Sequence, residues 1–502
     1  MMEFIFFLLW LLFGPPTHPP LRNLRASSDD NLHFESLTRG ALISGNPGTG
    51  KTVWSAMQLF NFARQKPDHP VFYFDFSGAG INEFLMLVHT LPERERRSMM
   101  RRIVLDIPGH QKLVLPKPFL SPAYGLSDEE LVQKAKTLLV QLNPELMASS
   151  PMMRRALTIT APNIFRLLTA IKDEHGASWQ LTEAKKLLLD TYEGGLLETA
   201  VKRFGGHVPD AKWYLEKEML RKNITPTGRE ARTTALVGEL SAIEPRFLRA
   251  RYGYPYPAIT EQEMIDEGKI YLLSGEQMTN QPDAQAWVFW DAFSSLRAVI
   301  NRRSPHDSND KPVLLVIDEV YRLFEIPGMA KAIGELSTYY RSRKFMLIII
   351  IQAYWQLSEL LQEQIWNLGN HVTFAMDNFN DAYKFAQQMT KYNPRQEKLP
   401  PKSSGLQPVI EPDRGQYLTV ANWIQSLNAR QVVMRRYLNE QEKDPFLHFI
   451  EKTQEKPQGI LPAPLADIKE SLLQKHAMSI STALKRVNQR SLRPIKKSRP
   501  TA

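Results

Sequence analysis

Short, almost unbroken apolar runs, separated by segments with helical spacing, are the main pattern along this chain. Such runs are typical of parallel strands that are buried on both faces of a sheet, because those strands lack the apolar–polar alternation of a half-exposed strand. We therefore predict an α/β fold with a mainly parallel sheet. The predicted core strands are 41–44, 71–76, 102–106, 269–273, 313–318 and 345–351.

A second pattern occupies residues 113–251, where the apolar positions recur at helical spacing. Ser127 and Glu130 form the sequence signature of a capping box, and Leu131, Ala135, Leu138 and Leu142 follow on one helical face. We predict an all-α insertion domain at 113–251. The flanking segments 14–112 and 252–454 are then the two parts of one discontinuous α/β domain.

A glycine-rich loop stands between the first predicted strand and the first predicted helix. Its sequence is Gly45-Asn46-Pro47-Gly48-Thr49-Gly50-Lys51-Thr52. This is the G-x-x-x-x-G-K-[ST] pattern in its strand–loop–helix context, in which backbone N–H groups surround phosphate. Lys51 is predicted to bind the β- and γ-phosphates, and Thr52 is predicted to bind Mg²⁺.

Two acids end the apolar run 313–317, which favours a second part of the same site. Asp318 and Glu319 stand at the carboxyl tip of a buried strand, where carboxylates are costly unless they face a cation or solvent. In a P-loop enzyme the first acid, Asp318, completes the Mg²⁺ shell. The second acid, Glu319, activates the attacking water.

The next strand, 345–351, ends in Gln352, and a basic turn precedes it. Ligands of open parallel sheets bind at the carboxyl ends of strands, so Gln352 is a candidate sensor of the γ-phosphate. The alternative is a polar residue that only ends an apolar strand. In the turn, either Arg341 or Arg343 is a candidate arginine finger for a neighbouring subunit, the alternative being an ordinary basic turn.

The charge distribution along the chain adds a candidate tail. The net charge is +10, and eight Lys and Arg residues but no Asp or Glu follow position 470. We predict that 455–502 is a basic, disordered tail, which either attracts DNA or anionic lipid or is simply solvated. The chain has no cysteine, which excludes disulfides and thiolate zinc sites.

Two further segments leave alternatives open. Residues 1–13 form a short apolar N-terminal segment, too short for a bilayer-spanning helix of about 20 residues. It is a candidate membrane-anchor remnant, peripheral anchor or misplaced start, and we favour membrane association. Residues 246–256 interleave basic and aromatic side chains, which suits nucleic-acid binding or, alternatively, packing of a loop on the core.

The order of these motifs resembles the HerA–FtsK superfamily of ring-forming DNA pumps, and within it the TraG-type coupling ATPases of type IV conjugative secretion. The resemblance covers about 30–437, and its three signatures are Gly45 to Thr52, Ile317 to Leu323, and Tyr340 to Ala353, followed by a last core strand at 370–375. It implies a RecA-like P-loop NTPase with ATP and Mg²⁺ as cofactors. It also favours Arg341 over Arg343 as the residue acting in trans.

The resemblance further implies a hexameric ring that hydrolyses ATP to move DNA toward a secretion channel. Expected partners are DNA, a relaxase or accessory proteins, and secretion-channel components, at the inner face of the cell membrane. The chain departs from the family at Asp75-Phe76-Ser77-Gly78, where an Asp-x-Lys-Gly is common, and it lacks two full N-terminal membrane helices. A nucleotide-gated scaffold and a HerA-like cytosolic DNA-processing ATPase therefore remain alternatives.

Overall fold

The computed structural model describes the chain with gaps, and some helix and strand ends are described by their backbone alone. The described residues are 24–26, 32, 37–142, 147–148, 150–173, 176–191, 194–221, 233–234, 236–307, 309–324, 329–339, 341–357, 359–389, 412–437, 443–450, 453 and 463–492. The apolar segment 1–13 and the predicted tail at 455–462 and 493–502 lie outside this range.

Parallel strands form the centre of the molecule. The strands in the described residues are β1 (Leu24–Ala26), β2 (Ala41–Ser44), β3 (Val71–Asp75), β4 (Ile103–Asp106), β5 (Leu113–Val114), β6 (Ile270–Ser274), β7 (Val313–Asp318), β8 (Phe345–Ile351), β9 (Asn370–Thr373), β10 (Val432–Tyr437), β11 (Lys443–Ile450) and β12 (Met478–Ser479). One sheet has the order β1–β11–β10–β9–β2–β8–β7–β3–β6–β4, and β5 pairs with β12. The run from β9 to β4 is parallel throughout, whereas β10 is antiparallel to both of its neighbours.

This sheet confirms the predicted α/β fold class, and the predicted core strands agree with the observed ones to within one or two residues. The central strands are buried along their whole length, because helices cover both faces. Leu315 and Ile317 point into one core, whereas Leu314 and Val316 point into the other. The continuous apolar runs therefore reflect two cores, one on each side of the sheet.

The helices make up the two outer layers. They are α1 (Lys51–Gln65), α2 (Ala79–His89), α3 (Glu93–Arg102), α4 (Asp128–Leu142), α5 (Pro151–Arg155), α6 (Ala161–Ala170), α7 (Leu181–Leu189), α8 (Leu196–Phe204), α9 (Pro209–Glu218), α10 (Arg246–Gly253), α11 (Glu261–Asp266), α12 (Pro282–Arg302), α13 (Tyr321–Phe324), α14 (Met329–Tyr339), α15 (Glu359–Ile365), α16 (Phe379–Met389), α17 (Pro412–Gln425), α18 (Ala463–His476) and α19 (Ile480–Leu492). A π-helical turn, Ala156–Thr160, joins α5 to α6. The predicted capping box is present at α4, where the Glu130 side chain accepts from Ser127 N at 2.7 Å.

Between β5 and β6 the described elements are all helical, in the region where the sequence predicts an all-α insertion. Buried ion pairs connect this region to the sheet and its flanking helices. Arg251 of α10 donates to both carboxylate oxygens of Asp106, at the end of β4, at 2.9 and 2.8 Å. Lys134 of α4 lies 2.6 Å from Asp291 of α12. The helical region is therefore joined to the sheet through its interior as well as through the chain.

The predicted disordered tail is wrong for residues 463–492, which form α18 and α19. Leu472 of α18 is buried in the core that α1 and α2 cover, and Ile480 of α19 is buried in the other core. Some of the basic residues have internal partners: Arg490 Nη2 donates to Ser178 O at 2.9 Å, and Lys469 Nζ donates to Glu276 at 2.8 Å. The sequence analysis missed these two amphipathic helices, because their apolar residues are widely spaced among basic and polar ones.

None of the helices in the described ranges combines the length and the apolar character that a bilayer span requires.

Candidate functional site

The glycine-rich loop lies at the carboxyl end of β2 and leads directly into α1. Gly45 and Gly50 have φ of 142° and 103°, which L side chains rarely adopt. A Cβ on Gly45 would lie 2.6 Å from Phe374 Cβ, so the loop packs closely on the residues after β9. Asn46 N donates to Ala375 O at 2.8 Å and fixes the loop to the same segment. Pro47 and Gly48 are exposed at the tip.

Side chains of the loop hold its curved shape from inside. Thr49 Oγ1 donates to Asn46 O at 2.7 Å. Lys51, the first residue of α1, donates from Nζ to Gly45 O and, at 2.6 Å, to Asn46 O. Burial lowers the pKa of Lys51 to about 8, while the nearby charges of Asp318 and Glu319 act in the opposite direction. The lysine is therefore buried next to the two predicted acids. Thr52 follows it, half-buried in the first turn.

The strand register brings the three predicted motifs to one edge of the sheet. In the parallel pairing, Ser44 lies opposite Ile351, and Ile349 lies opposite Ile317. Gln352 directly follows Ile351, whose partner Ser44 directly precedes the phosphate loop. Asp318 ends β7, the strand on the other side of β8. Gln352 is half-buried. The loop, the amide and the acid therefore line adjacent strand ends in the order β2, β8, β7.

Asp318 is 5% exposed, and its surroundings favour the protonated form. Burial raises its pKa to about 7, and the charges of Asp75 and Glu319 add to that effect. Glu319 N donates to Asp318 Oδ1 at 2.9 Å, and the Tyr73 hydroxyl lies 3.5 Å from Oδ2. A cation bound next to this carboxylate would stabilise its charged form and lower its pKa.

Glu319 has a left-handed backbone, with φ of 55°. A non-glycine residue at such a φ is strained, and strain of this kind is concentrated at functional sites. Burial raises the pKa of Glu319, whereas Arg322 opposes the change. Arg322 Nε lies 3.3 Å from Glu319 Oε2. The carboxylate of the second acid is therefore held by a neighbouring guanidinium, while burial favours its protonated form.

Sequence reasoning missed Asp75 and Tyr73, which complete this acidic cluster. Asp75 ends β3 directly opposite Asp318. Its Oδ1 accepts from Ser77 N at 3.0 Å and from Gly78 N at 2.8 Å, and its Oδ2 accepts from Ile81 N at 3.0 Å. The signal was present, because Asp75 stands at the tip of a predicted core strand just as Asp318 does.

Arg341 and Arg343 lie at the other edge of the sheet. They form a short 3₁₀ turn that precedes the amino end of β8, whereas the phosphate loop lies at the carboxyl ends of the strands. Arg343 Nη1 donates to Asn301 O at 2.8 Å and contacts Asn301 Oδ1 at 3.2 Å. The side chain of Arg341 lies outside the described part. Neither residue is next to the phosphate loop of its own chain.

The basic and aromatic segment 246–256 packs inside the protein. Its residues 246–253 form α10, in which Arg251 is fully buried on Asp106, and Tyr252 is fully buried as well. The nucleic-acid interpretation is therefore wrong for these two residues, and the alternative of core packing is correct. The pairing with Asp106 joins positions 145 residues apart, which local spacing does not reveal.

Comparison with known proteins links this arrangement to one family. Residues 312–426, which include Asp318, Glu319 and Gln352, match the family described as the TraM recognition site of TraD and TraG. No curated protein matches the chain in sequence.

The fold is similar to that of a coupling protein in three solved structures. The unbound bacterial conjugative coupling protein TrwBdeltaN70 has 11% identity and a TM-score of 0.52, over 88% of this chain and 92% of that chain. The plasmid coupling protein TrwB in complex with the GTP analogue GDPNP has 12% identity and a TM-score of 0.51, over 88% and 92%. TrwB in complex with ADP and Mg²⁺ has 13% identity and a TM-score of 0.50, over 90% and 98%. Residues 312–426 are therefore similar to the TraD and TraG family, and the fold is similar to that of the coupling protein TrwB.

Proposed function

We propose that this protein is an ATPase that couples ATP hydrolysis to DNA transport in a conjugative or type IV secretion system. The observation that carries the proposal is the pairing of β2, β8 and β7, because the phosphate loop, Gln352 and Asp318 stand at the carboxyl ends of these neighbouring strands. Nucleotides bind at this edge of open parallel sheets. The likeness to coupling proteins in fold and in residues 312–426 supports the transport role.

In this proposal each side chain has a separate task in phosphoryl transfer. The loop from Gly45 to Thr52 binds the phosphates through its N–H groups, and Lys51 leaves the loop carbonyls to bind the β- and γ-phosphates. Glu319 accepts a proton from the attacking water, and its raised pKa suits that task. Gln352, between the loop and the acids, contacts the γ-phosphate without adding charge.

The donor groups fit a magnesium ion bound together with nucleotide. Thr52 offers a hydroxyl at the start of α1, and Asp318 offers a carboxylate whose charge is disfavoured by burial and by Asp75 and Glu319. A divalent cation would offset that repulsion. Mg²⁺ is typically held by one or two protein oxygens, with phosphates and water completing its shell. When bound, the ion neutralises charge on the transferred phosphoryl group.

We further propose that the ring is hexameric and that Arg341 serves the site of the adjacent subunit. Its position at the amino edge of the sheet suits action in trans, since it is remote from the phosphate loop of its own chain. The proposed partners are DNA, a relaxase or an accessory protein of the TraM kind, and channel components at the inner membrane face. The helical residues between 113 and 251 are the proposed domain for recognising the DNA–protein substrate.

The test is ATP turnover with and without DNA for wild type, Lys51→Ala and Glu319→Gln. Removing the general base is expected to lower kcat at least about a hundredfold. Glu319→Gln is expected to keep its affinity for ADP–Mg²⁺, whereas Lys51→Ala is expected to lose it. Gln262→Ala, at an exposed position on α11, is the control. Turnover that survives both site changes would disprove the assignment, and a wild type that binds ATP but never hydrolyses it would favour the scaffold alternative.

A further inference from the structure

One residue outside all of the predicted motifs contacts the phosphate loop from the C-terminal part of the chain. Arg430 lies in the tight turn between α17 and β10, where Gln431 N donates to Asn428 O at 3.0 Å. Its φ is 71°, in the left-handed region that this place in a turn requires and that glycine occupies at least cost. A large side chain is therefore retained where a smaller residue fits the backbone better.

The backbone of Arg430 is bonded to the phosphate loop. Arg430 N donates to Thr49 O at 2.9 Å. Together with the bond from Asn46 N to Ala375 O, this bond attaches both halves of the loop to the C-terminal part of the sheet.

The side chain of Arg430 crosses the outer surface of the loop. A Cβ added to Gly50 would lie 3.4 Å from Arg430 Cγ and 3.8 Å from Phe374 Cε1, so both side chains pack against Gly50. Beyond Gly50, Arg430 Nη2 donates to Thr453 O, and Thr453 N donates back to Arg430 O at 3.0 Å. Thr453 is 3% exposed, so the far end of the arginine is anchored on a buried residue.

We propose that Arg430 is a positioning residue that holds the phosphate loop in its nucleotide-binding shape. Glycines give this loop many conformations, and ordering them costs binding free energy. A brace on the outer side of Gly50 reduces that cost before nucleotide arrives, which raises affinity without any contact to the ligand. The inference rests on the proposed function, because it assumes that the loop binds nucleotide.

The backbone strain is consistent with this role. A non-glycine residue in the left-handed region persists when its surroundings over-determine it, and such residues are concentrated at functional sites. Glu319, the proposed general base, is another left-handed residue of this chain. Arg430→Gly should relieve the strain and keep the N–H bond to Thr49, while it removes the side chain that packs on Gly50 and donates to Thr453 O.

The experiment compares wild type, Arg430→Gly and Arg430→Lys in ADP–Mg²⁺ binding by calorimetry, in steady-state ATP turnover and in thermal unfolding. Arg430→Gly is expected to weaken ADP binding and raise KM about five- to tenfold with kcat nearly unchanged, the pattern of lost ground-state binding. Its Tm is expected to change little, because relief of the left-handed strain offsets the lost bond to Thr453 O. Arg430→Lys keeps a long stem and a donor for Thr453 O, so it should restore most of the affinity.

Arg435→Ala is the matched control. Arg435 Nη1 also donates to a backbone carbonyl, Gln388 O, at 2.7 Å, but Arg435 lies further along β10, away from the phosphate loop. It should leave ADP binding unchanged. Equal ADP affinity of wild type and Arg430→Gly would overturn the proposal, as would a weaker affinity that appears only with a lowered Tm. A wild type that binds no nucleotide would instead refute the proposed function, and this inference with it.

Discussion

Asp75 and Asp318 lie directly opposite each other at the carboxyl ends of two adjacent parallel strands. Both are buried, with 0% and 5% exposure. Asp75 is surrounded by N–H donors of the loop that follows it, whereas Asp318 receives a single backbone N–H. The two carboxylates therefore differ in their bonding. Asp75 orders the backbone that follows it, whereas Asp318 keeps lone pairs that a cation can use.

The first prediction concerns the pH dependence of stability without nucleotide. Because the folded-state pKa of Asp318 is raised to about 7, from an ordinary value of 3.8, the folded state binds this proton more tightly than the unfolded state. Its contribution to stability is present below about pH 4 and is lost as the pH rises toward 7, by up to about 4 kcal/mol. Asp318→Asn lacks this loss, so its advantage over wild type should grow between pH 4.5 and 7.

Denaturant unfolding of both proteins at several pH values, without Mg²⁺, measures that difference. Lys51 does not disturb the window, because its lowered pKa of about 8 places its own effect at higher pH. Asp377→Asn, at an exposed position after β9, is the control. Parallel stability curves for wild type and Asp318→Asn would contradict the prediction.

A second prediction concerns Asp75 as the acceptor for the loop before α2. Asp75→Ala leaves the N–H groups of Ser77, Gly78 and Ile81 without their carboxylate. Burying donors without an acceptor is expected to lower the free energy of unfolding by about 2–4 kcal/mol. Ser77→Ala deletes one hydroxyl donor to the same carboxylate and should cost less than about 1 kcal/mol. Equal effects of the two substitutions would show that the carboxylate does not order this loop.

Local chemistry made most of the sheet and the central motifs predictable from the sequence. The run 345–351 is apolar at every position because both faces of β8 are covered, and the phosphate loop combines required glycines with Lys51. The role of Asp75 was visible in principle, since it ends a strand in the same way as Asp318. The missed features depend on contacts between distant segments: Arg251 with Asp106, and Arg430 with Thr49.

The C-terminal helices provide a third prediction, where charge misled the sequence interpretation. Leu472 of α18 is fully buried in the core beside α1 and α2. Leu472→Ala should therefore lower the free energy of unfolding by about 2–5 kcal/mol, as expected for a truncated core leucine. Lys485→Ala on the exposed face of α19 should change it by less than about 0.5 kcal/mol. A disordered tail would make both substitutions neutral, so chemical denaturation of the two variants separates the alternatives.

The last prediction tests whether the arginine turn completes the site of a neighbouring subunit. Arg341 and Lys51 belong to opposite edges of the sheet. A ring site that takes Lys51 from one subunit and Arg341 from the next needs only one intact copy of each. Lys51→Ala and Arg341→Ala should each be inactive alone. In mixed rings, a Lys51→Ala subunit can supply its intact Arg341 to the intact Lys51 of a neighbouring Arg341→Ala subunit. Random mixing in equal amounts makes about a quarter of the interfaces complete, so roughly a quarter of wild-type turnover should return.

Arg343→Ala is the control for this experiment. Its guanidinium contacts Asn301 of the same chain, so this variant should stay active alone. Mixtures that remain inactive, although subunit exchange is verified, would place the two residues in one subunit's site or remove Arg341 from the chemistry.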